Sequence, residues 1–382
     1  MKTLQLGMGW FPEQAGGLNR FYYNCTHHLP QAGIEMDGLV AGSSAVQRDS
    51  NGQVQVFAPR ESSLISRWRG LRRSIRKKLQ RKRPDLVAAH FALYTFPVLD
   101  QLGDRPLVMH FHGPWALEGC VEGNLLFATR LKKALEQITY RRATHCIVLS
   151  QAFRDILHQV YQVPLSKIHI IPSGIDIGMT AESPTRAQAR EKLGWAQDRQ
   201  IIFSVRRLAH RMGLENLIRA IAEVRLFHPD ILLLIGGKGV LMPTLQKLID
   251  ELDIQNYVKL LGFVPDQDLE LAYRAADCSI VPTVALEGFG LTVLESLAAG
   301  TPVLGTPVGG IPEILRPLSS DLVLAGSTAE DLSDGIHEAL NGDRQLPDLA
   351  TCQNYVRQNY SWQGVAQQIR AVYQMSLTGD GT

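Results

Sequence analysis

The sequence lacks the long apolar runs and the paired cysteines that define several classes of protein. It has no run of about 18 or more apolar residues, so no membrane-spanning helix is predicted. Its first residues, MKTLQLGMGWF, contain no signal-peptide cleavage pattern. The five cysteines are scattered without a CxxC pair, so neither a zinc site nor a disulfide framework is expected. The sequence therefore predicts a reducing, cytoplasmic location.

A complete dinucleotide fingerprint is also missing, and no acidic metal motif stands directly at the end of a predicted strand. Gly7, Gly9 and Pro12 follow the first apolar run, but a proline at the third position prevents the close helix–strand packing that a glycine there allows. NAD binding is therefore not expected. Because no DxD or other acidic metal motif stands directly at the end of a predicted strand, we predict that the protein needs no metal and no cofactor.

One segment lacks acidic residues altogether. The stretch 67–83, RWRGLRRSIRKKLQRKR, holds ten Lys and Arg, with apolar residues at helical spacing. It can be a surface helix whose apolar stripe packs on its own domain. It can also be attracted to an anionic membrane, with Arg72, Arg73, Arg76 and Lys77 facing the lipid or a lipid acceptor. Nucleic acid is the weakest alternative, because aromatic residues for base stacking are nearly absent here.

Short apolar runs rich in β-branched residues alternate with helical patterns along the whole chain. Such runs are typical of strands buried on both faces of a parallel sheet, and the alternation predicts doubly wound α/β architecture. The candidate strands are 4–10, 86–91, 107–112, 145–150, 168–173, 201–207, 231–237, 258–263, 278–283 and 302–306.

The length of 382 residues suits two domains. A stretch rich in Gly, Ser and Pro near 176–190 interrupts the alternation and reads as a linker. We therefore predict an N-terminal domain over 1–177 and a C-terminal domain over 178–362. The two parallel-sheet domains are expected to face each other across a cleft. Since ligands of such sheets bind at the carboxyl ends of the strands, the residues after each strand are the candidate site residues.

In the first half, two strand ends carry candidate residues. Gly16 and Gly17 precede a helical pattern, so their backbone amides can approach a phosphate closely, although an ordinary glycine turn is the alternative. His110 and His112 end the strand 107–112, and Gly113 follows. A strand-end histidine is often structural, but the position of His112 at the cleft favours a functional role.

In the second half, cations follow two strands. Arg206 and Arg207 end the first of them, and Arg211 comes before the next helix. A guanidinium placed there can pair with a diphosphate in a bidentate manner, whereas a surface ion pair is the alternative. Lys238 follows another strand within a glycine-rich turn and can face the cleft.

The segment LEGFGLTVLE combines glycines, a helix start and two glutamates. The amides of Gly290, Leu291 and Thr292 open a helix, whose positive end favours an anion. Glu287 can accept a hydrogen bond from a sugar hydroxyl, and Glu295 from a ribose. Two carboxylates beside a diphosphate repel one another, so a cation must offset them, and Arg207 is the expected one.

In these motifs the sequence resembles the retaining nucleotide-sugar glycosyltransferases of group 1 (family 4), which have the GT-B fold of two Rossmann-like domains. The resemblance covers nearly the whole chain. The matching segments are AGGLNRF (15–21), HFHGPW (110–115), VLSQAF (148–153), IIPSGID (170–176), VRRLAHRMGLENLI (205–218), LLGFVPDQDL (260–269), AADCSIVPT (275–283), EGFGLTVLESLAAGTPVLGTPVGGIPEI (287–314) and YSWQGVAQQIRAVY (360–373).

The resemblance implies a role for each matching residue. Gly16 and Gly17 would meet the donor phosphate and shape the acceptor side, and His112 would lie near the transferred sugar. Arg207 would bind the diphosphate. The backbone at Phe263 and Val264 would contact the base, Glu287 the sugar and Glu295 the ribose. The last helix, about 363–382, would return to the N-terminal domain.

The sequence departs from the family pattern at one position. The family usually has a lysine five residues after the arginine, but Met212 stands there in this chain. One phosphate-binding cation is therefore absent, and Arg211 or Lys238 is expected to replace it.

The resemblance implies a hexosyltransferase that moves a sugar from a UDP- or GDP-linked donor to an acceptor hydroxyl with retention. A lipid or polysaccharide-type acceptor is expected, with peripheral association at the inner face of a membrane. A soluble sugar or small metabolite is the alternative acceptor. A sugar-nucleotide epimerase and a non-catalytic binding protein are the alternative functions. His112, Arg207 and Glu287 are the expected catalytic residues.

Overall fold

The computed structural model describes residues 1–123, 126–176 and 184–378. The chain divides into two compact units: Met1–Gly174 with Trp362–Thr382, called the N-terminal unit, and Ile175–Ser361, called the C-terminal unit. The predicted boundary between 177 and 178 lies outside the described residues. The last helix belongs to the N-terminal unit, and residues 379–382 also lie outside the description.

Strands and helices alternate along the chain. The strands are β1 Lys2–Leu6, β2 Glu35–Ala41, β3 Val54–Ala58, β4 Leu86–Ala89, β5 Leu107–Phe111, β6 His145–Val148, β7 Ile168–Ile170, β8 Gln200–Val205, β9 Ile231–Gly236, β10 Val258–Gly262, β11 Cys278–Val281 and β12 Val303–Gly305. The helices are α1 Gly17–His28, α2 Ala45–Asp49, α3 Leu64–Lys82, α4 Ala92–Thr95, α5 Leu99–Leu102, α6 Trp115–Val121, α7 Leu126–Arg142, α8 Gln151–Gln159, α9 Arg186–Leu193, α10 Leu214–Val224, α11 Met242–Glu251, α12 Asp266–Ala275, α13 Leu291–Ala298, α14 Ile311–Leu315, α15 Ala329–Asn341, α16 Leu349–Asn359 and α17 Trp362–Thr378.

The N-terminal unit is built on a seven-stranded parallel sheet in the order β3-β2-β1-β4-β5-β6-β7. Helices cover both of its faces. On one face α3, α7 and α8 enclose a core that includes Leu71, Tyr140 and Leu157. On the other face α1 and α17 pack together, with Phe21 and Trp362 in contact. Burial on both faces explains why the central strands are almost purely apolar.

The C-terminal unit has a five-stranded parallel sheet in the order β10-β9-β8-β11-β12. Its order repeats that of the first five strands of the N-terminal unit. The predicted pair of parallel-sheet α/β domains is therefore confirmed. In each unit the strand order reverses beside the first strand, between β1 and β4 and between β8 and β11. Ligands of such sheets bind outside the carboxyl ends of the strands at this reversal.

The basic segment 67–83 forms most of α3, and its apolar stripe is not free. Leu71, Ile75 and Leu79 are buried in the core of the N-terminal unit, with Trp68 packed against it. The structure thus contains the packing that the sequence left as one alternative. No described helix is long and apolar enough to cross a membrane.

Arg72 does not belong to a free cationic face. It donates two hydrogen bonds of 2.7 Å to the carboxylate of Asp100 and a third to the carbonyl of Pro97. Its charge is thus already paired within the unit, and its expected role at a lipid surface stays a prediction. Arg73, Arg76 and Lys77 are exposed.

Candidate active site

A buried ion pair joins the two loops at the reversal point of the C-terminal sheet. Arg206 directly follows β8, and Glu287 lies in the loop after β11; their side chains are 6% and 14% exposed. The guanidinium Nη2 donates to Glu287 Oε2 and to Thr283 Oγ1 at 2.7 Å. Nη1 donates to Thr292 Oγ1 at 2.9 Å. One arginine thereby connects both loops with the first turn of α13.

Glu287 is held ionised, with one oxygen available. Burial by itself would raise the pKa of its carboxyl, but the charge and hydrogen bond of Arg206, helped by Arg211 and Thr283, bring that pKa below its ordinary value. Thr283 donates to Oε2 at 3.2 Å, the oxygen that Arg206 also binds. Oε1 accepts no hydrogen bond within the described part of the chain, so it can accept one from a ligand hydroxyl.

Two glycines fix the backbone of this ion pair. Gly237, after β9, has φ +141°, and a Cβ there would lie 1.8 Å from the carbonyl oxygen of Arg206. Gly309, after β12, has φ +58°, and its Cβ would lie 1.8 Å from the carbonyl oxygen of Glu287. Any side chain at either position would displace the backbone. The loops that follow β8, β9, β11 and β12 therefore depend on these two glycines for their close packing.

The loop after β8 is also hydrogen-bonded to the loop after β11. Val284 N donates to Arg211 O at 2.9 Å, and Arg211 Nη1 donates to the carbonyl of Leu286 at 3.1 Å. Arg211 is buried, and its charge contributes to the lowered pKa of Glu287. A second guanidinium is therefore fixed beside the carboxylate.

Helix α13 begins at this cluster. Gly290 precedes its first residue with φ +95°, and Leu291 and Thr292 form the first turn. Amides of a first turn have no acceptor within their own helix, so they point outward with the positive end of the helix dipole. Glu295 lies one turn further and accepts a hydrogen bond of 3.2 Å from the Tyr273 hydroxyl.

Three predicted donor-site residues lie outside the ion-pair network. Arg207 is exposed, and its side chain makes no hydrogen bond or ion pair with any described residue. Lys238 is exposed after β9, with Nζ 4.8 Å from the centre of the Phe263 ring. Val264 is half-buried and packs on the core of the C-terminal unit. The exposed guanidinium of Arg207 is therefore available to bind an anion.

The structure corrects the expectation that Arg207 offsets the charge of Glu287, because Arg206 does so. Sequence analysis cannot tell which of two adjacent arginines turns inward where a strand ends. Met212 supplies the one signal that was available. Its sulfur lies 3.1 Å from Arg206 Nη2, so the guanidinium of Arg206 reaches the side chain that stands in place of the family lysine.

In the N-terminal unit the candidate residues follow β1 and β5. Gly16 precedes α1 with φ +137°, and a Cβ there would meet nothing within 4 Å, so the backbone faces open space. Gly17 is the first residue of α1. Asn19 Oδ1 accepts a hydrogen bond of 3.1 Å from Gly9 N, which holds the loop before the helix.

His112 belongs to a group of three stacked histidines with defined tautomers. Gln5 Nε2 donates to Thr3 and Tyr373, so its oxygen must accept from His90 Nε2–H at 3.2 Å. His90 Nδ1 then accepts from His112 Nε2–H at 3.1 Å, provided both rings are neutral. Burial keeps them neutral: it lowers the pKa of His90 far below its usual value and that of His112 to about 3. His112 therefore presents an unprotonated Nδ1, which has no partner among the described residues.

No group of three or more His, Cys, Asp or Glu side chains within residues 1–123, 126–176 and 184–378 could hold a metal ion. Metal independence nevertheless stays a prediction.

Two family models match adjacent parts of the chain. Residues 15–178 match Glycosyltransferase Family 4, and residues 185–361 match Glycosyl transferases group 1. The first match contains His112, and the second contains Arg206, Glu287 and Glu295.

Individual proteins agree with these matches. A D-inositol 3-phosphate glycosyltransferase of Corynebacterium urealyticum is 30% identical over 303 residues, covering 76% of this chain and 71% of that protein. A GDP-mannose-dependent monoacylated alpha-(1-6)-phosphatidylinositol monomannoside mannosyltransferase of Corynebacterium glutamicum is 32% identical over 213 residues, covering 53% of this chain and 55% of that protein. The chain spans only 50–63% of the length of six of the curated relatives it matches.

Similarity of fold extends over the whole chain. The structure of sucrose-phosphate synthase from Thermosynechococcus elongatus superposes with a TM-score of 0.82 at 20% identity, covering 99% of this chain and 100% of that one. At this identity the likeness shows the fold alone, and it agrees with the predicted GT-B class. Together with the two family models and the relative from Corynebacterium urealyticum, it shows that the chain belongs to the group 1 and family 4 glycosyltransferases.

Proposed function

We propose that this protein transfers a hexosyl group from a UDP- or GDP-linked sugar to an acceptor hydroxyl, with retention at the anomeric carbon and without a metal. The observation that carries the proposal is the cluster of Arg206, Arg211 and Glu287 at the start of α13. It combines fixed positive charge for a diphosphate with a carboxylate oxygen for a sugar.

The diphosphate would bind at the first turn of α13. The amides of Leu291 and Thr292 and the positive end of the helix favour an anion there. Arg207, which has no partner within the described chain, would reach the outer phosphate oxygens. Arg206 would contribute its positive charge from its buried position while it remains paired with Glu287. In this assignment Arg206, and not Arg211 or Lys238, takes the place of the lysine missing at Met212.

The remaining donor groups would meet the two glutamates and the strand ends. Glu287 Oε1 would accept a hydrogen bond from a sugar hydroxyl, since Oε2 is already occupied. Glu295, oriented by Tyr273, would accept from the ribose. The backbone at Val264 would contact the base, and Lys238 would line the same end of the sheet.

For the chemical step we propose attack by the acceptor on the face from which the nucleoside diphosphate departs. No carboxylate is assigned as a nucleophile, so the leaving phosphate would take the proton of the acceptor hydroxyl. The guanidinium groups and helix amides would stabilise the charge that develops on the diphosphate. In the N-terminal unit we assign Gly16, Gly17 and His112 to the acceptor and sugar side, as the family resemblance implies.

We propose a lipid-linked or polysaccharide-type acceptor and peripheral association with an anionic membrane on the cytoplasmic side. The name of the Corynebacterium glutamicum relative, which states a phosphatidylinositol mannoside, supports a lipid. The name of the Corynebacterium urealyticum relative, which states D-inositol 3-phosphate, favours a soluble acceptor as the second candidate. The first of these names also states a GDP-mannose donor, whereas the second states no donor.

The first test is a thermal-shift screen of the full chain against UDP, GDP and their sugars, with and without magnesium. A ligand at a hundred times its dissociation constant should add about 2.7 kcal/mol to the free energy of unfolding. We expect a shift for one base only, and the same shift without magnesium. The selected donor is then used to measure release of nucleoside diphosphate with lipid and soluble acceptors.

The outcomes separate the candidates. Binding without release of nucleoside diphosphate in the presence of any acceptor would indicate a binding protein. Conversion of the donor sugar without an acceptor would indicate an epimerase. If no nucleotide shifts the unfolding temperature, the assignment of the Arg206 cluster as the donor site is wrong.

A further inference from the structure

The outer face of α7 carries an apolar stripe that no described residue covers. Phe127, Leu131 and Ile138 are 81%, 65% and 53% exposed, and Ala134 between them is also exposed. At 3.6 residues per turn, these four positions lie within about 60° of one another around the helix axis. The inner face, with buried Glu136, points the opposite way. Monomeric soluble proteins seldom line up large apolar side chains in this way, so the stripe indicates an interaction surface.

Positive charge flanks the stripe. Arg130 and Arg141 are exposed along one side of it and make no ion pair with the described residues. Glu136 is the only acidic residue of α7, and it is buried and accepts hydrogen bonds from Tyr140, Tyr161 and Ala116 N. The exposed face of α7 therefore combines apolar and basic side chains without an acid.

A second helix adds charge on the same face of the sheet. Both α3 and α7 pack against the 3₁₀ turn Phe96–Val98, and both contribute to the same core cluster. The solvent side of α3 presents Arg73, Arg76 and Lys77, whereas its apolar stripe is buried. In this layer the middle of α3 supplies mainly charge, with Leu64 and Ile65 exposed at its first turn, while α7 supplies charge and a continuous apolar stripe.

We infer that α7 inserts its stripe of Phe127, Leu131, Ala134 and Ile138 into the surface of an anionic lipid bilayer. An amphipathic helix with bulky apolar side chains and flanking bases lies in the interface plane, and its affinity grows with apolar area and with anionic lipid. A second copy of the chain would place these bases against one another, so lipid is the better-matched occupant. The inference deepens the lipid-acceptor part of the proposed function and rests on it.

The test measures co-sedimentation of the full chain with two kinds of vesicle. One kind is phosphatidylcholine alone, and the other contains equal parts of phosphatidylglycerol and phosphatidylcholine. The variant F127S/L131S removes most of the stripe. The control L226S/F227S removes two other exposed apolar side chains, which are 67% and 71% exposed in the C-terminal unit. Unchanged unfolding temperatures establish that both variants fold.

We expect the protein to bind the anionic vesicles and not the neutral ones. F127S/L131S should weaken this binding by about tenfold or more, and the control should bind like the parent chain. A tryptophan placed by F127W should show a blue-shifted emission with anionic vesicles, and lipids brominated on the acyl chain should quench it.

Three results would overturn the inference. Binding to anionic vesicles that F127S/L131S does not weaken would mean that α3 acts alone through charge. Absence of vesicle binding would remove the lipid as occupant. Self-association that F127S/L131S abolishes would assign the stripe to a second copy of the chain. Vesicle binding requires neither donor nor transfer, so these results are independent of the nucleotide screen described above.

Discussion

Arg206 and Arg207 are neighbours in the sequence, yet the structure gives them opposite surroundings. Arg206 is buried and bonded to Glu287, Thr283 and Thr292, whereas Arg207 is exposed and unpaired within the described chain. Removal of one partner of a buried ion pair leaves the other charge uncompensated. Removal of an exposed charge has little effect on stability. The same substitution at the two positions should therefore separate stability from ligand binding.

We expect R206M to lower the free energy of unfolding by about 3–5 kcal/mol, because Glu287 then remains buried without the guanidinium that hydrogen-bonds it. R207M should change it by about 0.5 kcal/mol or less. With the selected donor, R207M should still reduce transfer by a factor of order 10²–10³, as loss of one charge-stabilising donor does. Urea denaturation and release of nucleoside diphosphate measure the two effects. Equal destabilisation by both variants would contradict the assignment.

A double variant tests whether Arg206 replaces the missing lysine. Because Arg206 Nη2 lies 3.1 Å from the sulfur of Met212, a lysine side chain at 212 would bring its ammonium close to the same place. We expect R206A to weaken donor binding and R206A/M212K to restore most of it. M212K alone is the control. In this variant Lys at 212 and Arg206 are adjacent cations that would repel each other. If R206A/M212K binds the donor no better than R206A does, Arg206 does not replace the missing lysine.

At the residue scale, sequence patterns predicted the strand ends but not the partners. The positions of Glu287, Gly290 and Glu295 follow from the start of one helix. The pairing of Glu287 with Arg206 depends on contacts between loops 81 residues apart, which local spacing does not encode. The tautomer of His112 depends in the same way on Gln5, which lies in β1, and on His90, which directly follows β4.

At the scale of elements, the start of α6 depends on a buried carboxyl of α7. Glu136 accepts hydrogen bonds from Ala116 N, Tyr140 and Tyr161, at 3.1, 3.2 and 2.7 Å. Burial outweighs these donors and raises the pKa of Glu136 from 4.5 to about 7. The folded state therefore keeps a proton that the unfolded state has lost between these values.

The sign follows from linkage: where the folded state binds more protons, the free energy of unfolding falls as pH rises. Between pH 4.5 and about 7 the Glu136 contribution should decline by about 3 kcal/mol, with no further change above that range. E136Q should abolish this decline, because the amide stays neutral. Urea unfolding of both proteins across this range measures the difference. Parallel pH profiles would show that Glu136 ionises normally.

The elements that sequence patterns missed are those with polar residues inside them. Strands β2 and β3 were not among the predicted strands, since Glu35, Asp37 and Gln55 interrupt their apolar runs. These strands lie toward one edge of the sheet, where continuous burial is not required. The exposed stripe of α7 was also missed, because apolar residues at helical spacing do not by themselves tell a buried face from an exposed one.

At the scale of the whole molecule, the alternation of strands and helices predicted two parallel sheets, but chain order conceals how the N-terminal unit is completed. Its last helix, α17, follows the entire C-terminal unit in sequence. Tyr373 of α17 is buried, bonds to His110 at 2.8 Å and accepts a hydrogen bond from Gln5 at 3.2 Å. Periodicity shows that α17 is amphipathic, whereas its partner is a matter of tertiary packing.

The N-terminal unit should therefore not fold from residues 1–174 alone. Without α17, the core around Phe21 loses Trp362, Ile369 and Tyr373 and exposes one face of the sheet. In contrast, Ile175–Ser361 is continuous in sequence, and we expect it to unfold cooperatively by itself. A Cβ on Gly174 would lie 2.7 Å from the Trp362 ring, so a short Gly/Ser linker can join 174 to 362. We expect this linked chain to recover a single cooperative unfolding transition by circular dichroism, which 1–174 lacks. Cooperative unfolding of 1–174 at the same temperature as the linked chain would show that α17 is dispensable for that core.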